Sequence, residues 1–292
     1  MSSLICGSIA YDTIMNFEGR FQDQILADQI HILNVAFLVP SMRREFGGCA
    51  GNIAYNHKLL GGEPIIMATV GGDAGSYYDQ LAKYKISADH IRELPEAFTA
   101  QAMITTDRDN NQITAFHPGA MGESHLNKVA DVIAHRQAKQ LSLPKIAIVA
   151  PDGRQGMIEH CQQLADANIS FIFDPGQGLP MFDGKDLLGF IEQATYVAVN
   201  DYEGEMLSQR TGLSLEKIAE QVEALIVTKG AEGAEIHANG KKIGIPVVPV
   251  AKAVDPTGCG DAFRGGLLYG LEQGFDWETT GQIGRASCRE RV

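Results

Sequence analysis

The chain contains no apolar run of about 18 residues or more, so no transmembrane helix is expected. Its opening residues, MSSLICGSIAYD, lack a basic segment followed by a long apolar stretch. They read as a first strand, not as a signal peptide. No CxxC pair and no His/Cys cluster occurs; Cys6, Cys49, Cys161, Cys259 and Cys288 are scattered. Neither a disulfide framework nor a zinc site is therefore expected, and the cytoplasm is the compartment that fits. Basic residues are also short: 24 Lys and Arg stand against 36 Asp and Glu, a net charge of −12. A nucleic-acid surface normally needs a basic patch, so no nucleic-acid partner is expected. A small anion is not excluded, because a few backbone N–H groups can hold one.

Several signatures are missing as well. No GxxxxGK[ST] occurs, which excludes a P-loop protein. No GxGxxG follows the first strand, which argues against a dinucleotide-binding dehydrogenase. GxSxG and HExxH are absent, and so are internal repeats and low-complexity tracts.

What is present is an ordinary globular balance, 45% hydrophobic and 21% charged residues over 292 positions. That length is compatible with two domains or with one large α/β core. Strands are expected at Leu4–Ile9, Pro64–Val70, Lys145–Ala150, Ile169–Phe173, Ala194–Val199 and Ala224–Val227. Helices are expected at Gly51–Leu60, Gly75–Tyr84, Arg154–Ala167, Tyr202–Arg210 and Cys259–Gln273. This βαβα order predicts a parallel sheet covered by helices. Hairpins are expected over Ala100–Phe116, turning at Asp107–Asn111, and over Glu235–Val248. Ile32–Val39 reads as a strand with Arg43, Arg44 and Glu45 as its charged exit. With the first hairpin it would form a small sheet outside the main one, acting as a lid; an ordinary surface excursion is the plainer alternative.

Five motifs carry the chemistry. In Asp255-Pro-Thr-Gly-Cys-Gly-Asp261 the glycines permit a tight turn at a helix N-terminus, so the N–H groups of Gly258, Cys259 and Gly260 converge. Such a nest binds an anion and can stabilise charge on a transferring phosphoryl group. Asp261 in the first turn can take a proton from a hydroxyl nucleophile. Gly47-Gly48-Cys49-Ala50-Gly51-Asn52 opens a helix, where small residues admit a ligand and Asn52 offers donor and acceptor to a sugar. Asp12, after the first strand, suits vicinal hydroxyls or simply caps a turn. Asn200 and Glu203 share a helical face; they could serve a hydrated Mg²⁺ or cap the helix. Thr228-Lys-Gly230-Ala-Glu-Gly233 is a strand leaving into glycines, fit for a nucleotide or only a turn.

In this order the motifs resemble the ribokinase-like (PfkB) family of sugar and nucleoside kinases, from residue 4 to about 284. The carrying segments are VAFLVPSMRREFGGCAGNIAYN, AFHPGAM, FDPGQGLP, NDYE and DPTGCGDAFRGGLLYG, and within the family they are most similar to the adenosine kinases of bacteria. The resemblance implies a three-layer αβα core with a mostly parallel sheet and a small β lid. Residues 1–12, 46–97 and 119–284 would form the core, and 13–45 and 98–118 the lid. It implies transfer of the ATP γ-phosphate to a ribose 5′-hydroxyl, with Mg²⁺ and a K⁺-like cation beside Asp255. By position, Asp261 is the base and Gly258, Cys259 and Gly260 the anion hole. Asp12, Gly48 and Asn52 would hold the ribose, and Ser8, Phe37, Phe116 and Gln177 would line the base side. Asn200, Thr228, Gly230 and Gly233 would serve ATP, and Glu203 the Mg²⁺ network.

Ala36 and Ala102 stand where similar adenosine kinases carry a hydroxyl and an aromatic ring, and Cys259 replaces an alanine. Phe37 and Phe116 could sandwich a base or simply pack the lid. A free-sugar kinase shares every catalytic residue and is the alternative; a catalytically weak binding protein is a third. Residues 285–292 show no apolar periodicity and read as a junction replacing the family's final segment. A homodimer through the lid edge is also expected, since exposed strand edges pair.

Overall fold

A computed structural model describes residues 1–247 and 257–289. The strands are β1 (Ser2–Cys6), β2 (Ala10–Asn16), β3 (Ser41–Gly47), β4 (Pro64–Gly71), β5 (Ile91–Leu94), β6 (Ala100–Thr106) and β7 (Gln112–His117). They continue as β8 (Pro144–Val149), β9 (Phe171–Phe173), β10 (Tyr196–Asn200), β11 (Ala224–Thr228), β12 (Ala234–Ala238) and β13 (Lys241–Ile245). The helices are α1 (Phe21–Gln24), α2 (Cys49–Leu59), α3 (Gly75–Lys83), α4 (Val129–Ala138) and α5 (Arg154–Asp166). After them come α6 (Gly184–Gln193), α7 (Asp201–Thr211), α8 (Leu215–Ala219), α9 (Cys259–Gln273) and α10 (Trp277–Arg289).

Among the described residues nine strands form the main sheet, in the order β13-β12-β11-β10-β9-β8-β1-β4-β5. All neighbours pair in parallel except β11–β12 and β12–β13, the late hairpin. Strands β4, β8, β9, β10 and β11 are nearly continuous apolar runs because both faces are covered, whereas the edge strands β5 and β13 carry charges. Alternate side chains serve the two faces. Ile5, Ile148 and Ile226 pack toward α2, α3 and α9, whereas Leu4, Val149 and Leu225 pack toward α4 to α8. This is the expected αβα core.

Glycines set the closest helix contacts. A Cβ on Gly265 of α9 would come within 2.9 Å of Asn56 Cβ on α2. One on Gly266 would meet Gly284 Cα of α10 at 2.7 Å. Both are too short for a side chain, so α9 is wedged between α2 and α10. No helix among the described residues is long and apolar enough to cross a membrane.

The second sheet has the order β3-β2-β6-β7. It is the lid sheet, but its outer strand is Ser41–Gly47, not Ile32–Val39. Residues 27–32 form a 3₁₀ segment and 33–39 are irregular. Ile30, Ile32 and Leu38 are each more than 60% exposed. A strand there would have no buried face to hold its register. Arg43, Arg44 and Glu45 are within the strand, paired with Ile14, Thr13 and Asp12. The sheet already begins at Ala10, so Asp12 is a lid-sheet residue.

Residues 285–289, which show no apolar periodicity, continue α10 without a break. Ser287 and Cys288 are buried, and Cys288 packs into the core beside α9.

Candidate active site

The N-terminus of α9 is built around Gly258, which sits at φ +77° and caps the helix in the left-handed region. The first turn of a helix directs its N–H groups outward, and here that turn is Cys259, Gly260 and Asp261. Asp261 Oδ2 accepts a hydrogen bond from Asn52 Nδ2 at 2.9 Å. The two glycine motifs, far apart in the chain, therefore meet at one point.

The start of α2 explains its small residues. Gly48 lies at φ +87°, and a Cβ there would approach Ala10 N and Ser8 O at 2.6 Å. Ser8 Oγ accepts from Cys49 N at 3.2 Å, and Ser8 O accepts from Ala50 N at 2.9 Å. Ser8 thus holds the end of α2. Tyr77 Oη donates to Gly47 O at 2.7 Å. A Cβ on Gly47 would lie 2.4 Å from Asp12 Oδ2, so the Asp12 carboxylate rests directly on that backbone. Burial raises the Asp12 carboxyl above its ordinary range, and the nearby Glu45 charge adds to the rise.

Register across the lid sheet brings four residues from four strands into line. Asp12 pairs with Glu45 on β3 and with Ala102 on β6, and Ala102 pairs with Phe116 on β7. Directly paired residues share a face, so Glu45, Asp12, Ala102 and Phe116 form one row. Phe116 is half exposed.

Phe37 takes another role. Its ring contacts Phe17 and Phe21, with centroids 5.0 and 4.9 Å apart. That is lid packing, not a sandwich with Phe116. Gln177 lies exposed in a 3₁₀ segment at Gly176–Met181.

Along the same carboxyl edge of the main sheet Asn200 closes β10 and pairs with Thr228 at the end of β11. Asn200 Oδ1 accepts from Glu203 N at 2.7 Å, and Glu203 Oε2 accepts from Asn200 N at 2.8 Å. This is a reciprocal cap on α7, so the capping alternative is realised. Burial, then the Asp174 charge, raises the Glu203 carboxyl. Gly230 and Gly233 both have positive φ, and a Cβ on Gly233 would meet Ile245 O at 2.2 Å. No group of three metal-binding side chains occurs among the described residues. Glu203 as a single carboxylate suits a cation that keeps most of its water, as Mg²⁺ does, rather than a protein cage. Asp255, the expected monovalent-cation residue, lies outside the described residues.

Two residues of the site escaped motif reading. Arg264 donates through Nε and Nη2 to Asp174 at 3.1 and 3.0 Å, and both are buried. Tyr77 was legible only as a helical residue. Arg264 lies within DPTGCGDAFRGGLLYG and Asp174 within FDPGQGLP, but no spacing in either segment reveals that the two pair, and Tyr77 lies in no motif.

A lidded α/β core with a glycine-capped helix N-terminus beside a carboxylate fits a small-molecule phosphotransferase. The comparisons agree. The family model for pfkB family carbohydrate kinases matches residues 10–289. The chain belongs to that family, whose members transfer phosphate to a hydroxyl acceptor. It is 54% identical to the Burkholderia thailandensis nucleoside kinase solved in complex with inosine, with a TM-score of 0.85 over 99% of this chain and 90% of that one. The same kinase solved with ADP-inosine gives a TM-score of 0.82 at 55% identity, covering 99% and 88% of the two chains. A nucleoside kinase of Methanocaldococcus jannaschii is 33% identical over 295 residues, 99% of this chain and 89% of that protein.

Proposed function

We propose that this protein phosphorylates the 5′-hydroxyl of a purine nucleoside with ATP, adenosine being the acceptor put forward and inosine the first competitor to test. The observation that carries the reading is the Asn52–Asp261 hydrogen bond, which joins the ribose-binding motif to the base. Similarity to nucleoside kinases supports the acceptor class, and a related kinase solved with ADP-inosine supports the pairing with an adenine nucleotide.

In this reading Asp12, Gly48 and Asn52 hold the ribose hydroxyls and present the 5′-oxygen to Asp261. Asp261 removes its proton as the oxygen bonds to the γ-phosphorus. The bond from that phosphorus to the β,γ-bridging oxygen breaks, and ADP leaves with the electron pair. N–H groups of Gly258, Cys259 and Gly260 stabilise the charge on the transferring group. Asn200, Thr228, Gly230 and Gly233 serve ATP at the ends of β10 and β11. Glu203 would meet Mg²⁺ through water, and the ion supplies charge neutralisation on the phosphates. Ser8 acts through the start of α2, Phe116 lines the base side, and Gln177 borders it. Closing the lid excludes water and limits ATP hydrolysis.

The test is ADP release with ATP, Mg²⁺ and adenosine against a no-acceptor blank, followed by inosine, ribose and fructose. Nucleoside-dependent turnover is expected. Strong turnover on a free sugar with none on nucleosides would instead establish a sugar kinase, the second reading, which Ala102 beside Phe116 favours. The exposed β3 edge motivates a homodimer through the lid; a monomeric light-scattering mass at micromolar concentration would exclude it. Five free thiols support a reducing, cytoplasmic setting.

A further inference from the structure

The buried pair Arg264–Asp174 is the strongest unassigned charge arrangement near the site. Asp174 follows β9 directly and its N–H bonds to Val149 O at 2.9 Å, so its backbone is anchored in the sheet. Arg264 is three residues beyond Asp261 on α9, and both its Nε and Nη2 hold the Asp174 carboxylate. Its remaining nitrogen, Nη1, lies 4.0 Å from where a Cβ on Gly260 would sit. The guanidinium is therefore directly beneath the glycine turn. It also feels the charges of Glu203 and Asp261 in addition to that of Asp174. A buried bidentate pair is costly to desolvate and adds little stability over an apolar pair of the same shape. What it offers is a fixed planar geometry between two elements.

We propose that Arg264 and Asp174 are positioning residues that clamp the first turn of α9 to the carboxyl end of β9, so that the Gly258–Gly260 turn and Asp261 are held in the geometry phosphoryl transfer requires. The inference rests on the phosphotransferase reading given above. Neither residue touches the reacting atoms. Both act through the turn, so their loss reduces kcat and leaves the acceptor KM unchanged.

The experiment compares the full chain with Asp174→Asn, Arg264→Met and the double variant. Asp174→Asn and Arg264→Met are each expected to lower kcat at least about tenfold with nucleoside KM within twofold. Each single variant leaves one buried group unpaired and lowers Tm. The double variant removes both charges, so its Tm is expected to recover toward the parent while kcat stays low. Recovery of kcat together with Tm would reduce the pair to a stability element and overturn the proposal. So would a rise in KM with kcat unchanged.

Amide hydrogen exchange of the unliganded protein reads the clamp without any turnover. Exchange at Ala262, whose N–H closes the first turn on Gly258 O at 2.9 Å, is expected to speed up in Asp174→Asn relative to the middle of α9, and unchanged exchange would overturn the clamp. A parent inactive on every acceptor would count against the proposed function alone, leaving the exchange result to decide this one.

Discussion

Asn52 on α2 donates to the carboxylate of Asp261 on α9 at 2.9 Å, across 209 positions of sequence. The bond links the expected ribose-binding residue to the expected base. Asp261→Asn is expected to lower kcat by about 10²–10⁴-fold with little change in nucleoside binding. Steady-state kinetics with a thermal-shift measurement of nucleoside binding check this, and near-normal turnover would remove Asp261 from the base role.

Gly51 faces the ring of Tyr77, whose hydroxyl holds Gly47 O. A Cβ on Gly51 would stand 1.9 Å from Tyr77 Oη. Gly51→Ala is expected to cost about 1–3 kcal/mol by overpacking. Adding Tyr77→Phe should return part of it, because the clashing atom is gone. Urea denaturation of the three variants measures both effects, and additive losses would contradict the contact.

Asn200 and Glu203 separate a cap from a cation role. Asn200→Ala removes the acceptor at the start of α7 and is expected to cost about 0.5–2 kcal/mol. Glu203→Gln still accepts from Asn200 N–H, so stability should hold nearly constant. If Glu203 serves hydrated Mg²⁺, the same variant raises the Mg²⁺ concentration needed for half-maximal turnover. A titration curve identical to the parent's would confine Glu203 to the cap.

Phe37 and Phe116 should behave oppositely. Phe37→Ala opens the cluster with Phe17 and Phe21 and should lower Tm. Phe116→Ala removes an exposed ring and should leave Tm nearly unchanged while raising nucleoside KM. Base stacking of about 1–3 kcal/mol corresponds to roughly five- to 150-fold in KM. A Phe116→Ala enzyme with parental KM would place the base elsewhere.

Asp152 makes stability depend on pH. It is 2% exposed, and burial pushes its carboxyl up to about 8, although Gly153 N–H donates to it. In the unfolded chain the same group titrates near ~3.9. Between those values the folded protein holds a proton that the unfolded chain has lost. The stability this supplies is complete below about pH 4 and is lost as pH rises to about 8. Asp152→Asn should therefore show a smaller fall in Tm than the parent between about pH 5 and pH 8. Parallel Tm curves would exclude Asp152 as the source.

Much of this was legible without coordinates. Apolar runs punctuated by glycine marked the strands of the main sheet, because strands buried on both faces admit few polar residues. DPTGCGDAFRGG and GGCAGN announced themselves because only glycine tolerates φ +77° at Gly258 and +87° at Gly48. The short strand β5 and helices α4 and α8 carry weaker patterns and lie outside the expected elements; α6 lies outside them too, although it is amphipathic and Asp183 and Asp186 cap its start. Ile32–Val39 misled because a β-branched, apolar stretch resembles a strand even where nothing covers it. The charged segment Ser41–Gly47 is a strand because β2 supplies its hydrogen-bond partners.

The sequence by itself determined the fold class, the order of the motifs and the family, since these rest on local backbone requirements and short-range hydrophobic pattern. Tertiary structure alone decided that Asn52 meets Asp261, that Arg264 grips Asp174, that Phe37 packs the lid while Phe116 shares a face with Asp12, and that α10 continues to Arg289. Those are contacts between segments distant in the chain. Their partners are selected by packing and sheet register, which no local pattern encodes.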